Sequence, residues 1–376
     1  MKRQALRGSR ASNRVLLQLP TGGGKTVIFS HIASSSAAKR KRVIIAAHRM
    51  EIIGQISGTL TRFRIEHDFI EAGKSISDHP IKIASIATLA RRIEKGHKLD
   101  DIDLLVIDEA HHVTAESWRT VIKAARNARV LGVSATPLRL DGKGLGEIFD
   151  TLICGPSTAE LTEAGYLSPA IVYAPETRPD LSGIQIVGGD YDMGSLSTAM
   201  GAALITGNAV SHYGRLCRGT PAVAFCCDIR HSKAVAQSFR DAGYRAAHLD
   251  GQTAAEERRA LIAALGSGEL DVLTNCGIIS EGIDVPIVGA AILLRPTRSL
   301  ALYLQMVGRV LRPAPGKTRA IILDHAGNFW EHGLPDDPRH WSLEGQSKKT
   351  RPMAAANPFR HCETLRLRQS ACGLAL

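Results

Sequence analysis

Two tandem, doubly wound parallel-sheet domains of the α/β class are what this sequence predicts, and three observations carry that expectation. Short, mainly apolar runs alternate with longer segments of helical period, which is the rhythm of buried parallel strands and their crossover helices. The rhythm runs twice, with a stretch rich in Pro, Gly, Asp and Ser between its two passes. A glycine-rich turn follows the first apolar run and precedes the first helix, where such folds hold a phosphate. At about 100–200 residues per domain, 376 residues accommodate two or three domains with substantial cores.

Residues 1–14 carry Lys2, Arg3, Arg7, Arg10 and Arg14 and read as a basic lead-in. The run Val15–Leu19 is the first strand. Val27–Ala38 is a short helix, and Val43–Ala47 is a second buried strand, completing a β-loop-α-β unit. Further strands fall at Ile81–Ile86, Leu104–Ile107 and Val130–Val133, with Ala115–Asn127 as a helical or loop-like spacer. The pattern changes near Cys154-Gly-Pro156, and 175–200 reads as a connector or insert. Strands resume at Ala222–Cys226, Arg245–Leu249, Leu270–Leu273, Ala290–Leu294 and Ala320–Leu323, with helices at about 231–242, 254–265 and 299–311. A stop at Asp241–Gly243 and a capping box at Thr253-Ala-Ala-Glu256 mark two helix ends. The tail after Leu323 is basic and rich in Pro and Arg, and reads as partly disordered or as a docking arm.

A formal charge of +11 favours a polyanionic partner. Seven cysteines without framework spacing point to reduced thiols and a cytoplasmic location. No apolar run of the length needed to span a bilayer, about 18 residues, is present, nor is the apolar core of a signal peptide. His361, Cys362 and Cys372 lack paired C-x-x-C spacing, so zinc is not expected.

Chemistry concentrates in two places. In Leu19-Pro20-Thr21-Gly22-Gly23-Gly24-Lys25-Thr26, the glycines permit backbone N–H groups to converge on phosphate oxygens. Lys25 reaches the β- and γ-phosphates of a nucleoside triphosphate, and Thr26 is a magnesium ligand. Leu19 stands where the motif G-x-x-x-x-G-K-[ST] has its first glycine. Downstream, Leu104-Leu-Val-Ile-Asp108-Glu109 places two carboxylates at the end of a buried strand, Asp108 for magnesium and Glu109 for the attacking water.

Asp108-Glu-Ala-His111, with Ser134-Ala-Thr136, resembles motifs II (DEAH type) and III of superfamily 2 helicases and translocases. Ala47-His48-Arg49 with Glu51 and Gln55 resembles their motif Ia. Thr274-Asn-Cys-Gly-Ile-Ile-Ser-Glu-Gly282-Ile-Asp284 resembles motif V, and Gln305-Met-Val-Gly-Arg309-Val-Leu-Arg312 resembles motif VI. The likeness is to the bacterial and phage RadD-like group and runs from about residue 14 to 345. It implies tandem RecA-like domains with an interdomain ATP cleft: a lead-in at 1–14 that reads as shortened, an ATP-binding domain at 15–155, a connector at 156–205, a second domain at 206–330 and a tail at 331–376.

The same likeness implies roles for single residues. Arg309 and Arg312 become arginine fingers and Gln305 a phosphate or water contact, as suits guanidinium forks on a phosphoryl group. Gly282 and Asp284 approach the ribose and the cleft, while His111, Ser134 and Thr136 couple hydrolysis to closure. His48, Arg49, Thr88, Arg91, Arg92, His231 and Thr274 lie on segments that line the strand-binding surface, contacting phosphates without reading sequence. Two departures stand out. The lead-in has no segment to which an adenine-reading glutamine can be assigned, neither Gln4 nor Gln18 qualifying, and the tail does not reproduce a cysteine-rich zinc module. The expected activity is Mg-ATP-dependent movement on nucleic acid, DNA before RNA, without a membrane. The alternatives are an ATP-gated nucleic-acid clamp with little turnover and a small-molecule kinase sharing the phosphate loop.

Overall fold

A computed structural model describes residues 13–113, 115–139, 142–175, 181–187, 190–192, 194–196, 203–277, 285–345, 359–362 and 367–370, with the side chains of 175, 203–207, 359–362 and 367–370 outside that description. The chain divides into two units: residues 1–157 with 339–347, and residues 158–338 with 348–376.

The first unit is built on a parallel sheet of β1 (Arg14–Gln18), β2 (Val43–Ala47), β3 (Asp68–Ile70), β4 (Ile81–Ser85), β5 (Leu104–Asp108), β6 (Arg129–Ser134) and β7 (Thr151–Cys154), in the order β3-β4-β2-β5-β6-β1-β7. Every residue of β2 is buried because helices cover both faces. Alternate residues divide between two cores. Val15, Leu17, Val43, Ile45 and Val106 pack with Phe29 and Ile32 of α1 (Lys25–Ala37) and with Ile52, Ile56 and Leu60 of α2 (Met50–Arg62). Leu16, Ile44, Leu105 and Ile107 pack with Leu89 of α3 (Ile86–Glu94) and with Trp118 and Val121 of α4 (Glu116–Ala124). Each buried Val, Leu or Ile contributes roughly 1.5–3 kcal/mol.

The second unit contains α5 (Thr158–Glu163), β8 (Ala170–Pro175), the small hairpin β9 (Ile186–Val187) and β10 (Asp190–Tyr191), α6 (Ala203–Leu216), β11 (Ala222–Phe225), α7 (Ile229–Asp241), β12 (Ala246–Leu249), α8 (Ala255–Ser267), β13 (Val272–Asn275), β14 (Ala290–Leu293), α9 (Leu300–Gly308), β15 (Ala320–Asp324), α10 (Asn328–His332), β16 (Phe359–Cys362) and β17 (Leu367–Ser370). Its sheet has the order β12-β13-β11-β14-β15-β8-β17-β16, parallel from β12 to β8. The last two strands add antiparallel pairing.

Three sequence expectations change. The stretch taken as a connector, 156–205, supplies α5 and β8, and β8 pairs in parallel with β15 as part of the second sheet. Part of the tail belongs to the first unit. There Leu343 accepts the N–H of Gly146 at 2.8 Å, and a Cβ at Gly144 would overlap the Leu343 carbonyl. The capping box at Thr253 is not formed, because Asp250 takes the hydroxyl. The Thr253 Oγ1 donates to Asp250 Oδ1 at 3.2 Å, while the N-cap of α8 is Ala254 without a side-chain cap. The stop at Gly243 holds, with φ of 87° just past the end of α7.

Candidate nucleotide site and nucleic-acid surface

The phosphate loop leaves β1 in register with β6. The Leu19 N–H donates to Ser134 O at 3.0 Å, and its side chain is buried beside Phe29 and Val133. Leucine thus anchors the loop base in the core, which accounts for the missing first glycine. Pro20 O accepts the Gly23 N–H at 3.0 Å, and Thr21 is nearly buried. Gly22 and Gly24 both have φ of 83°, a backbone that L side chains rarely adopt. Gly24 is the N-cap of α1 and contributes no side chain there, and the first turn, which opens with Lys25 and Thr26, contains no acid. That helix end meets an anion with N–H groups and positive dipole potential.

Strands β5, β6 and β1 are neighbours, so their C-terminal ends bring the carboxylates, Ser134-Ala-Thr136 and the phosphate loop to one edge of the sheet. Asp108 is buried, and its Oδ1 accepts the Glu109 N–H at 3.0 Å. Glu109 itself is left-handed (φ 50°, ψ 54°), a conformation that costs a non-glycine residue about 1–3 kcal/mol and collects at functional sites. Its Oε2 is enclosed without a hydrogen-bond partner and lies 3.4 Å from Nδ1 of His111. The same Nδ1 is 3.1 Å from Ser134 Oγ, which donates to Thr136 O at 2.8 Å and accepts the Thr136 N–H at 3.2 Å. Thr136 Oγ1 is buried without a partner.

These residues fit Mg-ATP. Lys25 makes no ion pair among the described residues, Glu109 presents an unsatisfied carboxylate oxygen, and the loop has the positive-φ glycines that a phosphate cradle needs. Thr26 and Asp108 are the residues that would hold magnesium.

The second unit presents motif VI on α9 and the turn after it. Gln305 is buried, whereas Arg309 and Arg312 are partly exposed. Burial pulls the Arg312 guanidinium below its ordinary value, and its backbone is fixed by Lys317, whose ammonium donates to Arg312 O (2.7 Å), Val288 O (2.7 Å) and Pro286 O (3.1 Å). Gly282 and Asp284 lie outside the described residues.

The expected nucleic-acid contacts separate into two groups. His48 and Arg49 follow β2, and Thr88 and Arg91 lie on α3 after β4, so they share the sheet edge that carries the carboxylates. Arg91 is exposed and the other three are partly so. Arg92, however, is turned to the protein, its Nη2 donating to the carbonyls of Glu71 and Lys74. In the second unit His231 is buried at the start of α7, its N–H capped by Asp228 at 2.7 Å, and burial pushes its imidazole down. Thr274 is also buried. Its hydroxyl donates to Ser232 O at 2.9 Å and accepts from Ser232 Oγ at 2.9 Å, and Ser232 Oγ is 2.7 Å from His248 Nδ1. In this conformation both brace the core.

Two participants were not singled out from sequence. Lys317 carries no local signal, since only the fold brings Pro286 and Val288 to it. His112 had one, the histidine doublet one residue beyond the carboxylate pair.

The chain is similar to several known proteins. Residues 2–139 match the family described as "Type III restriction enzyme, res subunit", and residues 209–314 match "Helicase conserved C-terminal domain". A "51.5 kDa protein" of Lactococcus phage isolate 7-9 is 32% identical over 89% of this chain and 71% of its own length. The "Putative ATP-dependent helicase IRC3" of Saccharomyces cerevisiae is 31% identical over 85% of this chain, which spans 49% of that protein. Among solved structures, a fragment of a "putative HsdR subunit of a type I restriction enzyme" from Vibrio vulnificus YJ016 superposes with a TM-score of 0.71 at 21% identity, covering 89% of this chain and 64% of that one. With two RecA-like sheets, a glycine-rich loop beside the Asp108–Glu109 carboxylate pair, and these relatives, the chain belongs to the superfamily 2 helicases.

Proposed function

We propose that this protein is a magnesium-requiring, nucleic-acid-dependent ATPase that moves along DNA or separates its strands. The observation that carries the reading is the single sheet edge on which β5, β6 and β1 gather a strained, unsatisfied Glu109, the Ser134–His111 contact and the glycine cradle. DNA is preferred to RNA because the first unit matches a restriction-enzyme family.

In this reading the loop N–H groups and Lys25 hold the triphosphate, and magnesium, when bound by Thr26 and Asp108, neutralises phosphate charge. Glu109 orients water through its unsatisfied oxygen and accepts its proton as the water attacks the γ-phosphorus. His111 limits where that carboxylate can swing. Arg309 and Arg312 neutralise charge that develops on the transferred group, with Gln305 supporting them and Gly282 and Asp284 serving the ribose side. His48, Arg49, Thr88 and Arg91 contact the phosphate backbone without sequence preference, while His231 and Thr274 support their segments from inside.

The test is steady-state ATP hydrolysis titrated against single-stranded, duplex and forked DNA and RNA at one salt concentration. Stimulation, greatest with DNA and abolished in Glu109→Gln, is expected. A folded sample that hydrolyses ATP equally fast with and without every nucleic acid would overturn the reading, and negligible turnover with nucleotide-dependent DNA affinity would replace it by the clamp.

A further inference from the structure

Beside the catalytic carboxylate stands a histidine to which neither motif II nor motif Ia gives a task. His112 closes the 3-10 turn Ala110–His112. Its N–H donates to Glu109 O at 3.1 Å, and its carbonyl accepts the Ala115 N–H at 3.1 Å, so its main chain is held from both sides. Its ring centroid lies 4.2 Å from that of His111, at 41°, and 4.5 Å from that of His48, at 53°. Both separations are those of rings in direct contact. His111 then touches Ser134 Oγ at 3.1 Å and Glu109 Oε2 at 3.4 Å. A continuous line of three rings therefore joins the residue after β2 to the carboxylate after β5.

We infer that His112 is a positioning residue through which occupancy of the nucleic-acid surface at His48 sets the orientation of Glu109. The inference rests on the proposed roles of His48 and Glu109. A phosphate drawn to His48 and Arg49 reorients the His48 ring, which cannot turn without moving the His112 ring against it. The His112 backbone is fixed by its two hydrogen bonds, so the displacement passes to His111. The Nδ1 of His111 stands between Ser134 and Glu109 at distances only 0.3 Å apart (3.4 − 3.1), and a small shift changes which of them it favours. Packed side chains respond to such a shift by changing between discrete arrangements rather than by deforming gradually. The neighbouring main-chain ladder between β2 and β5, with Ala46 opposite Ile107, is a second physical link between the same segments. It does not depend on the side chain at 112, which separates the two routes experimentally.

The test uses the full chain with His112→Ala and His112→Phe. ATPase rates are measured against single-stranded DNA at fixed salt, together with DNA affinity by fluorescence anisotropy and thermal stability. In His112→Ala, maximal stimulation should fall about tenfold, a typical size for coupling between two sites. DNA affinity, the Michaelis constant for ATP and the rate without DNA should be unchanged. His112→Phe, which keeps a ring between the two neighbours, should recover most of the stimulation. Wild-type stimulation in His112→Ala would overturn the inference while leaving the proposed function intact, as would equal loss in the Phe variant. Absence of stimulation in the wild type would end the functional reading itself.

Discussion

The Oγ of Ser134 lies 3.1 Å from Nδ1 of His111, a side-chain contact that ties the turn carrying the carboxylates to the adjacent strand β6. The same hydroxyl also accepts the Thr136 N–H and donates to Thr136 O, which makes it the junction of motifs II and III. Replacing Ser134 by Ala removes all three contacts from a buried place at once. The expected cost is about 1–3 kcal/mol, read as a lowered denaturation midpoint. DNA-stimulated turnover should fall more than ATP affinity.

Gly24→Ala tests the phosphate cradle separately. Nothing lies within 4 Å of a Cβ at that position, so crowding is not the obstacle; the φ of +83° is. Holding alanine there costs roughly 1–2 kcal/mol. Thermal denaturation with and without Mg-ATP should show a small loss of stability in the free protein and a larger loss of the stabilisation that nucleotide confers.

Adjacent arginines on α3 should behave oppositely. Arg91 is exposed and is proposed to meet phosphate, whereas Arg92 holds the Glu71–Lys74 loop. Arg91→Ala should lower the salt dependence of single-stranded DNA binding by about 0.7 in log–log slope. Arg92→Ala should leave that slope unchanged and raise amide exchange in residues 71–74.

Lys317→Met removes an ammonium that ties three carbonyls around Arg312. ATP turnover should decline more than nucleotide affinity if Arg312 is misplaced. Lys317→Arg, whose planar fork does not reproduce a point donor, should not restore it.

A pH dependence follows from His325. Burial, with His212 stacked 5.1 Å away, pushes its imidazole down to about 3. In the unfolded chain it protonates near 6.5. Between those values the unfolded state binds more protons, so this stability is complete above about pH 6.5 and declines as pH falls toward 3. The wild type minus His325→Phe difference in unfolding free energy should shrink on acidification across that window.

Much of this was legible in the sequence because central parallel strands are buried on both faces. Val43–Ala47 is an uninterrupted apolar run for that reason. The phosphate loop and Asp108-Glu109 were legible because their chemistry fixes residue type and spacing. What sequence could not show was competition between partners. Asp250 outcompetes the helix end for Thr253, Ser232 takes the hydroxyl of Thr274, and two carbonyls take Arg92. Each partner is chosen by the tertiary fold. Strand β8 was obscured because it is a short parallel run next to a Pro- and Gly-rich segment, and its place beside β15 is a long-range pairing.

The left-handed backbone at Glu109 sets durability against work at a single position. Glycine there would relax the main chain and yield a tougher protein and, on the proposed reading of Glu109, one that no longer burns its fuel.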